Sequence, residues 1–222
     1  MPEMNDDDII LNWHINSYAH GKQLNRYPYT SVISDIKREQ AERDKNELRV
    51  LEIGCGSANN LWAIVSEGAF GFGIDASSTA IDEGMIQMRS FGIPESRYEL
   101  LVGDARKLPF ENKLFDIIID RAVLGYMTSD IRSQIIRECH ARLAPKGKLF
   151  SYDLCGESHF AKRRGEKITG NTYSNFSDGA FPPTDIVHFF RKNELLNDFS
   201  CFRNIKVKRC TEEWVGGVFR KI

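Results

Sequence analysis

The sequence predicts a doubly wound α/β domain with a mostly parallel sheet and helices on both faces. Two observations carry that prediction. Between Arg49 and Asp153 short apolar runs alternate with helical stretches, and the runs are apolar nearly throughout, as strands covered on both faces must be. Each run also ends in Gly or Asp: Gly54, Asp75, Asp104, Asp120 and Asp153 all fall at predicted strand ends. In such sheets ligands bind beyond the carboxyl ends of the strands, so these five positions share one functional rim.

The elements follow in order. Residues 1–46 are polar with interspersed aromatics, and Tyr29–Ile36 reads as an amphipathic helix opening after Pro28. The charged stretch Lys37–Glu47 reads as a solvated helix face and linker. Arg49–Ile53 is the first strand, turning at Gly54-Cys55-Gly56 into a helix over Leu61–Glu67 that Gly68 closes. Phe70–Ile74 is the second strand, followed by a helix over Ser77–Ser90 with an apolar stripe at Ile81, Met85 and Met88. Tyr98–Val102 and Phe115–Ile119 are the next strands. A helix over Asp130–Leu143 and the turn Pro145-Lys146-Gly147 lead into a fifth strand, Lys148–Asp153. Residues 155–185 are rich in Gly, Ser, Asn and charge, which predicts an irregular substrate-side insertion at about 155–190. A helix at Asn193–Phe199 and strand-like segments at 202–208 and 214–219 close the chain.

Composition bounds the function. The 222 residues carry a formal net charge of -1, with 41% hydrophobic and 27% charged residues, so one globular domain is expected without a general electrostatic pull toward nucleic acid or membrane. The five cysteines have no framework spacing, and the acidic N-terminus is no signal peptide, which predicts reduced thiols and a cytoplasmic location. No apolar run is long enough to span a bilayer.

The chemistry concentrates at the rim. In Glu52-Ile53-Gly54-Cys55-Gly56-Ser57-Ala58-Asn59 the glycines permit a tight turn and close approach of a ligand to the backbone. As a dinucleotide fingerprint the run is incomplete, because Asn59 stands where G-x-G-x-x-G has its last glycine. Asp75, 21 positions after Gly54, can accept from ribose hydroxyls, and Asp104 beside Ala105 can accept from an adenine amino group. Capping of the following helices is the competing role for each aspartate, and the shared rim favours ligand binding.

Together these segments resemble the class I S-adenosylmethionine-dependent methyltransferases: Glu52–Ala58 their first motif, Gly73-Ile74-Asp75-Ala76-Ser77 the second, Gly103–Phe110 the third, Phe115–Asp120 the fourth, and Leu143–Leu149 the turn into the fifth strand. The resemblance covers residues 48–155. It implies a seven-stranded sheet whose last strand is antiparallel, in a hairpin with the sixth, and S-adenosylmethionine as methyl donor. It implies that Glu52, Gly54, Cys55, Gly56 and Asn59 shape the methionine end and that Asp75, Ala76 and Ser77 surround the ribose. Asp104 and Ala105 would flank the adenine, with Asp120 and Arg121 near the sulfonium. Ala58 departs from the family, which often has a third glycine there.

On the substrate side, no strand ends in Asn or Asp followed by Pro-Pro and an aromatic, so methylation of an exocyclic base amine is disfavoured. A small-molecule acceptor, methylated at oxygen, is expected, by a monomer or homodimer. Candidate catalytic groups are His20, Arg121 and His188. Arg121 can pair with a substrate carboxylate or phosphate, or with a rim aspartate. His188 suits packing or capping better than catalysis. Residues 1–46 are expected to form a helical lid or cap, with Tyr18, Arg26 and Tyr27 closing over the donor. The basic cluster Lys162-Arg163-Arg164 with Lys167 is a solvated loop or a clamp for phosphate or RNA. A small-molecule enzyme should enclose a cavity over Asp120 roofed by 14–30 and 155–190. A macromolecule reader should open a groove lined by the basic cluster.

Overall fold

The computed structural model describes residues 6–21, 24–42, 47–177, 181, 185–209 and 214–221. Its elements in chain order are α1 (Asp6–Asn16), α2 (Thr30–Ala41), β1 (Arg49–Ile53), α3 (Asn59–Ser66), β2 (Phe70–Asp75), α4 (Ser78–Ser90), β3 (Tyr98–Val102), β4 (Phe115–Arg121), α5 (Ser129–Arg142), β5 (Leu143–Cys155), β6 (Glu166–Thr169), β7 (Thr172–Ser174), β8 (Val187–His188), α6 (Lys192–Asp198), β9 (Arg203–Arg209) and β10 (Trp214–Arg220). Seven strands form one sheet in the order β3-β2-β1-β4-β5-β10-β9. The first five are parallel, and β10 runs antiparallel to both β5 and β9. The seven-stranded sheet and its closing hairpin are as the resemblance implies.

Side chains alternate across the pleat, so each strand feeds two cores. Leu51, Ile53, Phe72, Ile74 and Ile118 pack on one face with Ile131, Ile135 and Ile136 of α5 and Leu195 of α6. Val50, Ile117 and Ile119 face the other way, onto Val32 and Ile36 of α2 and Ile64 of α3. On that same side Leu61 and Val65 of α3 and Ile81 and Met88 of α4 meet Leu100 of β3.

Asp6–Asn16 is helical, within the stretch expected as a helical lid or cap, and Ile9 anchors it among the residues whose side chains are described. One feature departs from the sequence reading. The insertion is not irregular: a short helical turn at Phe160–Arg164 precedes the three-stranded sheet β6-β7-β8, which encloses Phe176, Phe181 and Phe189. Its strands have two to four residues each, too few for alternation to register in a sequence.

The four described cysteines are free thiols, and Cys210 lies outside the described residues. Among the described residues no helix is long and apolar enough to cross a membrane.

Arg132 locks α5 to α6. It is 1% exposed, donates from Nε to Asp198 Oδ2 (2.8 Å) and from Nη1 to the Met127 carbonyl (3.2 Å), and lies over the Phe190 ring. Arg132→Met should lower the unfolding free energy by about 3 kcal/mol, the low end for breaking a buried pair because Asp198 is partly exposed. Chemical denaturation measures this, and a loss below ~1 kcal/mol would contradict it.

Candidate functional site

A cleft partly open to solvent crosses the carboxyl ends of β1, β2, β3 and β4. The strand order reverses between β1 and β4, so the cleft sits where open α/β sheets bind ligands.

The loop after β1 forms its floor. Gly54 (φ +59°), Gly56 (φ +52°) and Ala58 (φ +59°) all take the left-handed conformation, which coils the chain tightly before α3. A Cβ at Gly54 would lie 2.2 Å from Val123 Cγ2, so only glycine fits there. Ala58 accepts the same conformation at some backbone cost, with its methyl wholly buried.

Asp75 ends β2 and holds that loop. Its Oδ2 accepts from the Gly56 N–H (2.9 Å) and its Oδ1 from the Ser77 N–H (2.9 Å), joining the glycine turn to the start of α4. Asp75 and Ala76 line the cleft. Ser77 does not: its hydroxyl accepts from the Ala80 N–H (3.1 Å) and caps α4. Asp104, Gly103 and Ala105 form the cleft wall beyond β3. Both Asp104 oxygens accept from Arg106, at the backbone N–H and at Nε (each 2.7 Å). The same Arg106 reaches Asp7 (2.6 Å) and Asp6 (3.5 Å) of α1, fastening the N-terminal helix beside the cleft.

Glu52 faces the floor from β1 and is 2% exposed. Its Oε1 accepts from Asn60 Nδ2 (2.6 Å), while Oε2 has no hydrogen-bond partner. Burial, opposed by the Asn60 bond and by Arg121, pushes its carboxyl up to about 8. An orphaned buried carboxyl oxygen lining a cleft is a ready acceptor for an ammonium or other donor brought by a ligand.

The roof is N-terminal. Ile10, Tyr18, Asn25 and Tyr29 line the cleft from above. The Asn25 carbonyl accepts from Ser57 Oγ (2.6 Å) and Gln87 Nε2 (2.9 Å), the Arg26 carbonyl from Trp62 Nε1 (3.0 Å), and the Tyr27 carbonyl from Asn59 Nδ2 (2.9 Å). The Tyr29 N–H donates to Asn60 Oδ1 (2.9 Å). Residues 25–29 are thus a strap pinned onto the start of α3. Tyr18 sits under it, its hydroxyl 3.1 Å from where a Gly56 Cβ would stand. Burial and the nearby Asp75 raise that phenol far above its usual range, so it keeps its proton.

At the other end, Arg121 closes the cleft. Its Nε donates to Asp153 Oδ2 (2.9 Å), and its guanidinium carbon lies 3.6 Å from the Tyr29 ring centroid. Tyr126 lines the cleft here and packs its ring on Phe181 of the insertion.

The structure therefore gathers Tyr18, Glu52, Gly54, Cys55, Gly56, Asn59, Asp75, Ala76, Asp104, Ala105 and Arg121 around one cleft. The remaining expected residues stand elsewhere, for physical reasons. Arg26 is exposed with its guanidinium over Phe91, and Tyr27 is 74% exposed. Asp120 is fully buried beneath the rim: Oδ1 accepts from the Val123 and Leu124 N–H groups (3.0 and 3.2 Å), and Oδ2 from the Ser151 hydroxyl. Desolvation pushes its carboxyl up to about 6. His20 is exposed and outside the lining. His188 is buried on β8, its Nδ1 2.9 Å from Thr172 Oγ1 and its Nε2 2.8 Å from Glu194. Burial lowers it to about 4, so it is a neutral packing residue. Among the described residues the roof comes from the N-terminal segment: none of 155–177, 181 and 185–190 lines the cleft, and the insertion approaches it where Phe181 packs on Tyr126. Lys162, Arg163 and Arg164 are likewise outside it. Sequence reasoning missed Ile10, Asn60 and Tyr126, and reached Asn25 and Tyr29 only as part of the expected roof 14–30. The pair Asn59-Asn60 opening a helix was their one visible signal, since amides there can reach a neighbouring strand or strap.

Residues 50–147 match a protein family described as a methyltransferase domain. The chain is 28% identical over 178 residues to the tRNA N(3)-cytidine methyltransferase METTL2B of Homo sapiens, covering 75% of this chain and 45% of that protein. It is 27% identical over 128 residues to the sterol 4-C-methyltransferase strm-1 of Caenorhabditis elegans, covering 58% and 37%. The chain thus spans less than half the length of these curated relatives. Among solved structures it resembles the 1,6-didemethyltoxoflavin-N1-methyltransferase of Burkholderia thailandensis, bound to 1,6-didemethyltoxoflavin and S-adenosylhomocysteine, with a TM-score of 0.72 at 15% identity over 100% of this chain and 92% of that one.

Glu52 makes the empty fold pH-sensitive. Its folded value, about 8, lies above the ordinary carboxyl value of 4.5, so the stability it contributes as a neutral acid is complete below about pH 4.5 and is lost as pH rises to 8. Glu52→Gln should remove this dependence and stabilise the ligand-free protein at pH 8 by on the order of 1 kcal/mol or more. Thermal melts at pH 6 and pH 8 check it, and equal pH dependence in both proteins would contradict it.

Proposed function

Because residues 50–147 are a methyltransferase domain and the chain has the class I S-adenosylmethionine-dependent methyltransferase fold, we propose that it transfers a methyl group to a small molecule, at oxygen. Bound in the cleft, S-adenosylmethionine supplies an electrophilic methyl group on a sulfonium. Asp75, which lines the cleft at the end of β2, takes the ribose hydroxyls. Asp104 and Ala105 flank the adenine. The unpaired Oε2 of Glu52 takes the ammonium, while Gly54, Cys55 and Gly56 let the methionine portion lie against the backbone. Tyr18 and Tyr29 exclude water, and alignment with dehydration is most of what methyl transfer asks of an enzyme.

The observation that carries the small-molecule reading is the roof. Ile10, Tyr18, Asn25 and Tyr29 cover the cleft, and the basic cluster Lys162-Arg163-Arg164 stands outside it. Oxygen as the acceptor atom rests on Asp120-Arg121-Ala122 at the end of β4, in place of the Pro-Pro-aromatic sequence suited to base amines. Incubation with methyl-labelled S-adenosylmethionine and a fractionated cell extract should label the small-molecule fraction. The similarity to tRNA methyltransferases supports a second reading, RNA methylation, and label in RNA alone would replace the first with it.

The strap and α1 act as the lid of this site. Deleting residues 1–28 removes Ile10, Tyr18 and the Asn25 carbonyl, and should weaken S-adenosylhomocysteine binding at least about tenfold, some 1.4 kcal/mol. Calorimetry on the truncated protein, with its fold verified by circular dichroism, checks this. Unchanged affinity would show a helix that merely packs on the sheet.

A further inference from the structure

β4 ends, and β5 kinks two residues before its end, in the same unusual way. Ala122 (φ +60°) and Asp153 (φ +55°) are both non-glycine residues in the left-handed region, and each follows a residue of the registered pair Arg121–Tyr152. Such backbone persists when the surroundings hold it, and it collects at functional sites. Here the two kinks bring Arg121 and Asp153 together at the cleft mouth. Asp153 takes only Nε of the guanidinium, and the Tyr29 ring covers one of its faces. Nη1 and Nη2 have no acceptor among the described residues, although Arg121 lines the cleft. A guanidinium gripped at Nε and stacked on a ring keeps its end-on fork for a planar anion.

Position says whose anion it is. Asp104 follows β3, Asp75 ends β2 and the glycine loop follows β1, which are consecutive strands of the sheet. A donor lying across them from adenine to methionine leaves the next strand ends, β4 and β5, to the acceptor. We infer that Arg121 is the specificity residue of the acceptor site, and that the acceptor is a small molecule bearing a carboxylate held end-on by Nη1 and Nη2. Tyr126, Val123 and Met127 supply a mixed aromatic and apolar wall beside it. Asp153 and Tyr29 are positioning residues that fix the plane of the fork. The inference rests on the cleft being the S-adenosylmethionine site.

The test uses the full chain saturated with S-adenosylhomocysteine, so that the donor's own carboxylate is already bound. Benzoate and inorganic phosphate are titrated into this complex by calorimetry, for the wild type, Arg121→Met and Arg121→Lys. The expected result is benzoate binding alongside S-adenosylhomocysteine, weakened at least about tenfold in Arg121→Met, as loss of a two-point charged contact requires. Arg121→Lys keeps the charge, loses the fork and should fall nearly as far. It also answers the question if the methionine variant fails to fold. S-adenosylhomocysteine affinity should stay within about twofold in both variants, a smaller change than any lost charged contact. Benzoate binding equally to all three proteins, binding of phosphate alone, or no binding would overturn the assignment. So would benzoate competing with S-adenosylhomocysteine, because Arg121 would then belong to the donor. Failure of S-adenosylhomocysteine to bind the wild type would instead remove the cofactor reading, and this inference with it.

Discussion

Asp75 is the joint on which the cleft is built. A carboxylate buried at the end of β2 accepts from the Gly56 N–H on one side and the Ser77 N–H on the other. Those bonds satisfy the charge, coil the loop after β1 and start α4 at once. Without them Gly54, Gly56 and Ala58 would lose the anchor that holds three left-handed residues at alternate positions. The floor of the cleft would lose its shape, and the strap that rests on Ser57, Asn59 and Asn60 would lose its seat.

The site keeps polar capacity in reserve on this frame. Most buried polar groups here are spent: Asp120 on the Val123–Leu124 turn, Ser77 on α4, Arg132 on Asp198. Glu52 Oε2 is not, and neither are the terminal nitrogens of Arg121. One lies on β1 and the other at the end of β4, neighbouring strands across the switch point. A carboxyl that is neutral when the site is empty becomes favourable as an anion once a cation arrives, which links occupancy of the cleft to the charge of its floor.

The sheet was legible because parallel strands buried on both faces must be apolar throughout. Arg49–Ile53 and Phe115–Ile119 therefore stand out in the sequence, and their polar ends mark the rim. The Gly54–Gly56 turn was legible because glycine reports backbone demands directly. Asp120 misled because a strand-end aspartate looks the same in sequence whether it faces a ligand or turns under to hold its own loop. The N-terminal segment 14–30 was expected in the roof, but the way it is fastened was hidden for a different reason. Arg26 and Tyr27 look like binding residues, yet it is their backbone carbonyls that matter, and carbonyl contacts carry no residue-type signal. The short strands β6, β7 and β8 were hidden by length; the packing role of His188 was the favoured expectation, but its partners Thr172 and Glu194, 16 and 6 positions away, were not legible.

The central claim is that one roofed cleft across the ends of β1, β2 and β3 holds the methyl donor. A crystal structure of the protein with S-adenosylhomocysteine tests it most directly. The account predicts the ribose on Asp75, the adenine between Asp104 and Ala105, and the amino group on Glu52 beneath Tyr18. Ligand density elsewhere, or in the cleft with Glu52 and Asp75 untouched, would contradict it.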